Sequence, residues 1–216
     1  MEKEELKILA HNLANPQGEK GIEIGEMMNA SNIGMTLESI KALVIEDDEC
    51  ILEIGHGNAA HVKSIISLAH NIRYTGIDIS ETMYYEARRL NEAFEDQADF
   101  VLYEGSILPF KDQTFNKIFT VNTVYFWENP VAFLNEIYRV LKDDGTFVLT
   151  FAQKDFMEKL PFTAYDFKLY NNSEMEELIS QSHFKRMKTS EKEEEIKSKT
   201  GEETIQRIYT VLTIKK

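Results

Sequence analysis

The sequence predicts an α/β fold, a mostly parallel sheet with helices on both faces, and three observations carry that prediction. Short apolar runs suited to buried strands alternate with segments whose apolar residues recur at helical spacing. The loops between them are short, as connections inside a parallel sheet are. The first run, Ile51-Leu52-Glu53-Ile54, passes straight into Gly55-His56-Gly57, where the missing Cβ atoms permit dihedrals and close approaches denied to other residues.

Ahead of that run, residues 2–14 read as a charged helix with Leu6, Leu9, Ala10 and Leu13 on one face, ended by Asn15-Pro16. Residues 17–21 form a loop. Two short helices follow, 22–29 and 35–44, the second capped by Thr36, with residues 29–34 between them. Met27, Met28 and Met35 supply adaptable apolar surface there. After the first strand, 50–54, a helix over 59–70 turns Val62, Ile65, Ile66 and Ala69 inward. The second strand, 72–78, ends on Asp78, and Ser80 caps a helix carrying Met83, Ala87, Leu90 and Phe94 on one side. A third strand, 99–103, runs into the loop 104–110. The fourth, 115–121, opens into Asn122-Thr-Val-Tyr-Phe-Trp127, and Asn129-Pro130 starts a helix to Leu141. Gly145 stops that segment, and 146–151 is the fifth strand. Ser173 with Glu176 forms a capping box for a helix to Ser182. Strands over 184–189 and 205–214 end the chain, with 192–195 as a solvated hairpin tip.

In such a sheet, ligands sit beyond the carboxyl ends of the strands at the switch point. Those ends carry Glu53 to Gly57, Asp78, Glu104 and the 122–127 stretch, so one crevice is expected to gather them. Asp78 is placed to accept hydrogen bonds from both hydroxyls of a ribose. Glu53 suits a cationic amino group better than a pyrophosphate. The Gly-x-Gly-x-x-Ala spacing alone also fits a dinucleotide, which keeps a nicotinamide-dependent oxidoreductase open as an alternative.

Four stretches in order, Glu53-x-Gly55-x-Gly57, Gly76-Ile-Asp78-Ile-Ser80, Glu104-Gly-Ser-Ile-Leu-Pro-Phe110 and Glu136-Ile-Tyr-Arg-Val-Leu-Lys-Asp-Asp-Gly145, resemble the class I S-adenosylmethionine-dependent methyltransferases. The likeness covers residues 50–151 and is nearest to the branch that includes the ubiquinone and menaquinone biosynthesis methyltransferases. It implies a Rossmann-like three-layer sandwich whose mostly parallel seven-stranded sheet ends in an antiparallel C-terminal strand. It implies a core over 50–216, preceded by a helical segment, 1–49, that covers the site. The implied cofactor is S-adenosyl-L-methionine, held by Glu53, Gly55, Gly57, Asn58, Asp78, Ile79 and Asn122. Met83 would pack on the adenine face, Glu104 would bind the adenine amino group, and the backbone at Gly105 and Ser106 would meet the ring nitrogens. Two residues depart from the pattern. Ala59 stands where a third glycine is common, and Glu104 where aspartate is.

Methyl transfer from a sulfonium needs alignment and water exclusion more than acid–base groups, so no catalytic residue is assigned. His56 and His11 are the histidines to consider as a base, although the place of His56 in the glycine turn favours a structural role. Tyr125 and Trp127 are expected at the acceptor, since an aromatic face attracts a cation by about 0.5–2 kcal/mol. Met28 and Asn29, on the covering segment, are expected there too. No cysteine or histidine cluster has metal-ligand spacing, so no metal is expected.

Composition narrows the partners. In 216 residues the formal net charge is −13 and no basic stripe outweighs its acidic neighbours, which argues against nucleic acid and for a small-molecule acceptor. Cys50 is the only cysteine, the first residues lack a signal-peptide pattern, and no apolar run approaches the roughly 20 residues of a membrane span, so a cytoplasmic protein is expected. A methyltransferase-like protein that binds cofactor without transfer is the remaining alternative. The acceptor's identity and the oligomeric state are not legible.

Overall fold

Among the described residues there are seven strands: β1 (Cys50–Ile54), β2 (Arg73–Asp78), β3 (Ala98–Leu102), β4 (Phe115–Val121), β5 (Leu141–Ala152), β6 (Arg186–Lys197) and β7 (Thr204–Lys215). A computed structural model, describing residues 2–197 and 204–216, pairs them into one sheet of order β3-β2-β1-β4-β5-β7-β6. Strands β1 to β5 pair in parallel, and β7 runs against both of its neighbours. The chain reverses its direction of sheet building between β3 and β4, both sides of which return to β1. That reversal makes the switch point lie over β1 and β4. The helices are α1 (Lys3–Ala14), α2 (Gly18–Leu43), α3 (Val62–Ile66), α4 (Glu81–Leu90), α5 (Pro130–Val140), α6 (Lys154–Met157) and α7 (Asn172–Ser180). The fold is the Rossmann-like α/β sandwich with an antiparallel C-terminal strand that the sequence leads one to expect.

The central strands are buried on both faces and read as near-continuous apolar runs. Ile51, Leu52, Ile118, Phe119, Val148 and Leu149 have no exposed surface. Helix caps fall where the sequence puts them at two places. Ser80 Oγ accepts from the Met83 N–H at 3.1 Å, and Asn129 Oδ1 accepts from the Ala132 N–H at 3.2 Å, with Pro130 opening α5.

Four expectations are corrected. The loop at 17–21 and the two short helices after it are one 26-residue helix, α2. The polar stretch 29–34 contains no proline, and its helix is held by packing on β4 and β5 rather than by propensity, which outweighs glycines costing roughly 1 kcal/mol each. Gly25 has a use in the packing of α2 on α4, because a Cβ there would stand 2.7 Å from Met83 Sδ. Helix α3 begins at Val62 rather than Ala59, since Ala59 takes a left-handed φ of 52° and closes the turn with its N–H on the His56 carbonyl at 3.0 Å. The capping box of α7 is Asn171 with Glu174, not Ser173 with Glu176. Glu174 N–H donates to Asn171 Oδ1 and Asn171 N–H to Glu174 Oε2, both at 2.9 Å. Residues 192–195 are not a hairpin tip but lie inside β6, paired with 206–209 of β7, and residues 198–203 lie outside the described residues.

Candidate functional site

A crevice of about 1020 Å³, its open mouth included, lies over the carboxyl ends of β1, β2 and β4. Its floor is the turn after β1. Gly55 and Gly57 take φ of 75° and 56°, the left-handed region that only glycine enters without strain. A Cβ on Gly55 would stand 2.4 Å from Thr123 Cγ2, so this turn rests directly against the one after β4. At Gly57 the same position is open space, which leaves the backbone approachable by a ligand.

Asp78, at the end of β2, ties the turn down. Its Oδ2 accepts from the Gly57 N–H at 3.0 Å and its Oδ1 from the Ser80 N–H at 2.9 Å. A carboxylate has about four lone-pair sites, so two remain for a ligand. The group is 7% exposed, and burial pushes its carboxyl above the usual range against the opposing effects of His56 and the backbone N–H groups. Hydroxyl donors from a ligand would offset that cost.

Glu53 is buried with its Oε2 shared between two donors, His61 Nε2 at 2.7 Å and the Tyr74 hydroxyl at 2.5 Å. Burial pushes the Tyr74 phenol up, and the Glu53 carboxylate beside it adds to the effect. For His61, burial acts to lower the imidazole, but the Glu53 charge and hydrogen bond outweigh it and hold the group above its ordinary value. His56 goes the other way, lowered mainly by burial. Its Nδ1 donates to the Gly57 carbonyl at 2.6 Å, and its ring packs edge-on against Phe100 at 5.1 Å. A neutral His56 thus braces the turn, with an Nε2 that is buried without a partner.

The His61–Glu53 pair sets a pH dependence. A folded value above the unfolded one of about 6.5 means that the pair's stabilisation is fully present below that pH and is lost as pH rises through the folded value. The urea-midpoint difference between wild type and His61→Gln is therefore expected to be greatest near about pH 6 and to shrink towards about pH 9. A difference independent of pH would refute the pairing.

Of the residues singled out from sequence, Glu53, Gly55, Gly57, Asn58, Asp78, Ile79, Met83, Gly105 and Asn122 line the crevice, with Met28, Asn29 and Trp127 from the proposed acceptor set. Glu104 and Ser106 are exposed and do not line it. Tyr125 is buried behind it, its hydroxyl donating to the Ala152 carbonyl at 2.9 Å, and it lines an adjoining cavity. His11 is exposed and outside both. Asn32, expected with Asn29 to face the site from the covering segment, lines the crevice as well, whereas sequence reading missed His61, Tyr74 and Thr36 as site residues. Tyr74 carries one signal, a phenol in a strand of the sheet, whose hydroxyl needs a partner once buried.

Met83 lies under α2 at the crevice edge, and α2 contributes Gly25, Met28, Asn29, Asn32 and Thr36 to the wall. Helix α1 is tied on through the Pro16 carbonyl, which accepts from Ser80 Oγ at 2.5 Å. Among the described residues no group of three or more His, Cys, Asp or Glu is arranged to hold a metal, and no helix is long and apolar enough to cross a membrane.

A family profile described as "Methyltransferase domain" matches residues 52–149. YrhH of Bacillus subtilis strain 168, a candidate methyltransferase, is 33% identical over 111 residues, 51% of this chain and 62% of its own. The ubiquinone/menaquinone biosynthesis C-methyltransferase UbiE of Roseobacter denitrificans is 36% identical over 103 residues, 45% of this chain and 39% of its own. The chain thus spans less than two thirds of either relative. Among solved structures, a chain from the complex of the Haloferax volcanii Trm112 methyltransferase activator with a methyltransferase superposes with a TM-score of 0.73 at 16% identity, covering 90% of this chain and 94% of that one. Haemonchus contortus phosphoethanolamine N-methyltransferase 2, bound to S-adenosylhomocysteine, gives 0.71 at 15% identity over 95% and 60%. At these identities the structures share the fold.

Proposed function

We propose that the chain, whose residues 52–149 match a methyltransferase-domain profile, is a class I S-adenosylmethionine-dependent methyltransferase that takes S-adenosylmethionine as its cofactor and transfers the methyl group in line to a small-molecule acceptor. The observation that carries the reading is the convergence of the open Gly57 turn, the twice-bonded Asp78 carboxylate and buried Met83 on one crevice. These groups fit the cofactor. Asp78 has lone pairs left for two ribose hydroxyls, Gly57 leaves its backbone uncovered, and Met83 with Ile79 offers an apolar face to a base. When bound, the cofactor supplies a sulfonium methyl that an acceptor lone pair takes while the C–S electron pair stays on sulfur.

The protein's part is alignment and exclusion of water. Asn122, at φ 58° after β4, is fixed by the Ala152 N–H donating to its Oδ1 at 3.1 Å, and it holds a polar edge at the crevice wall. Trp127 and Phe126 present aromatic faces beside it, suited to a cationic sulfur. We assign α1 and α2, with the rest of residues 1–49, to a covering segment that closes over the site, on the ground that α2 supplies one wall and α1 packs on it through Leu13 and Ile24. Removing residues 1–15 is expected to weaken S-adenosylhomocysteine binding and abolish transfer while far-ultraviolet circular dichroism keeps the core signal. Unchanged affinity and turnover would make α1 mere covering.

An acidic formal charge of −13 supports a small acceptor over nucleic acid. Calorimetry decides between this reading and a nicotinamide enzyme. S-adenosylhomocysteine is expected to bind one per chain and NADH not to bind; tight NADH binding without a response to S-adenosylhomocysteine would reverse the assignment.

A further inference from the structure

Beside the crevice lies a second, partly open pocket of about 600 Å³, its mouth included, and Leu13, Met28, Asn32, Asn122 and Phe126 line both. The two spaces are therefore neighbours across one thin partition. Its other walls come from Phe156, Met157, Leu160, Phe162, Phe167 and Ile205. Phe167 sits at its centre, with ring centroids 4.7 Å from Phe126 and 5.8 Å from both Tyr125 and Phe162.

Charge is almost absent from this lining. Arg207 is its one charged residue among those described, and this buried residue already makes four hydrogen bonds through its guanidinium. Nε and Nη2 donate to Glu194 Oε1 at 3.0 and 2.7 Å, Nη2 to the Ser31 carbonyl at 2.7 Å, and Nη1 to Asn32 Oδ1 at 2.9 Å. A ligand anion would have to compete with Glu194 for the guanidinium, and the described lining offers a ligand cation no carboxylate. The polar side chains on the cavity's crevice side, Asn32 and Asn122, are neutral amides joined at 3.3 Å.

We propose that this cavity is the acceptor site, and that it takes an uncharged molecule with an apolar, ring-sized or chain-like body, whose polar reactive end lies at the Asn32–Asn122 junction. The inference rests on the methyltransferase reading above and deepens it by naming the acceptor's class. Burying such a body against the phenylalanines supplies roughly 25 cal/mol per Å² of apolar surface, which sets the acceptor's preference without any charged contact. The two half-buried residues Leu160 and Ile205 offer places to fill the cavity from its outer side, away from the crevice.

The test uses the whole protein and two fluorescent probes of similar size, neutral Nile red and the anionic 1-anilinonaphthalene-8-sulfonate, with S-adenosylhomocysteine affinity measured in parallel by calorimetry. Saturable Nile red binding with blue-shifted emission is expected, and the sulfonate should bind at least about tenfold more weakly. Leu160→Trp and Ile205→Trp should each weaken Nile red by about tenfold or more while S-adenosylhomocysteine affinity stays within about twofold. Absence of saturable Nile red binding, equal binding of the anionic probe, or unchanged Nile red affinity in a folded filled variant would overturn the proposal. If neither variant folds, the comparison of the two probes on wild type still decides it. Loss of S-adenosylhomocysteine binding in wild type would instead refute the methyltransferase reading, so the two failures are separable.

Discussion

Glu53→Ala is expected to cost about 3–5 kcal/mol of folding stability, the range for removing one partner of a buried ion pair and leaving the other uncompensated. Glu53 and His61 are 3% and 6% exposed, and Tyr74 is 1% exposed. Without the carboxylate, His61 Nε2 and the Tyr74 hydroxyl lose the acceptor they share, and among the described residues neither atom has another hydrogen-bond partner. Urea denaturation of the variant measures it. Glu53→Gln should lose less, because an amide oxygen has two lone pairs and still accepts from both donors, although the charge is gone. A Glu53→Ala variant as stable as wild type would show that the three groups do not hold the end of β1 together.

Asp78→Ala is expected to act the opposite way, on affinity far more than on stability. Folding the free protein with this carboxylate ionised is costly, because burial has pushed its carboxyl up. Truncation removes that cost along with the acceptor for the Gly57 and Ser80 N–H groups, so the two effects offset each other in part. In the complex, however, the lost hydrogen bonds to a charged acceptor are worth roughly 1.5–3 kcal/mol, a fall in S-adenosylhomocysteine affinity of about 10- to 150-fold. Calorimetry beside a urea titration separates the two quantities. Unchanged affinity would remove Asp78 from the ribose site.

Local signals made the crevice legible, and distant ones hid its neighbours. The glycine turn, Asp78 at a strand end and the Ser80 cap are each written within a few residues, and the structure has all three close together. Glu53 was legible as an acidic strand end, but its donors His61 and Tyr74 stand on other elements, and only the parallel register of β1 with β2 brings Tyr74 alongside. Helix α2 was misread for the same reason. Its polar residues 29–34 look like a loop until Asn32 and Ser31 are seen bonded to Arg207, far along the chain on β7. The β6 extension likewise depends on pairing, since Lys192 to Glu195 is too charged to look like a strand before β7 lies beside it. The second cavity draws its walls from α1, α2, residues 156–167 and the β6–β7 hairpin, and no window of sequence contains it.

The most direct test of the account is to incubate the protein with methyl-labelled S-adenosylmethionine and a fractionated cell extract, and to ask which fraction takes up label. The account predicts label in a low-molecular-weight product, lost with Asp78→Ala. Label found only in RNA, DNA or protein, and never in the small-molecule fraction, would contradict it.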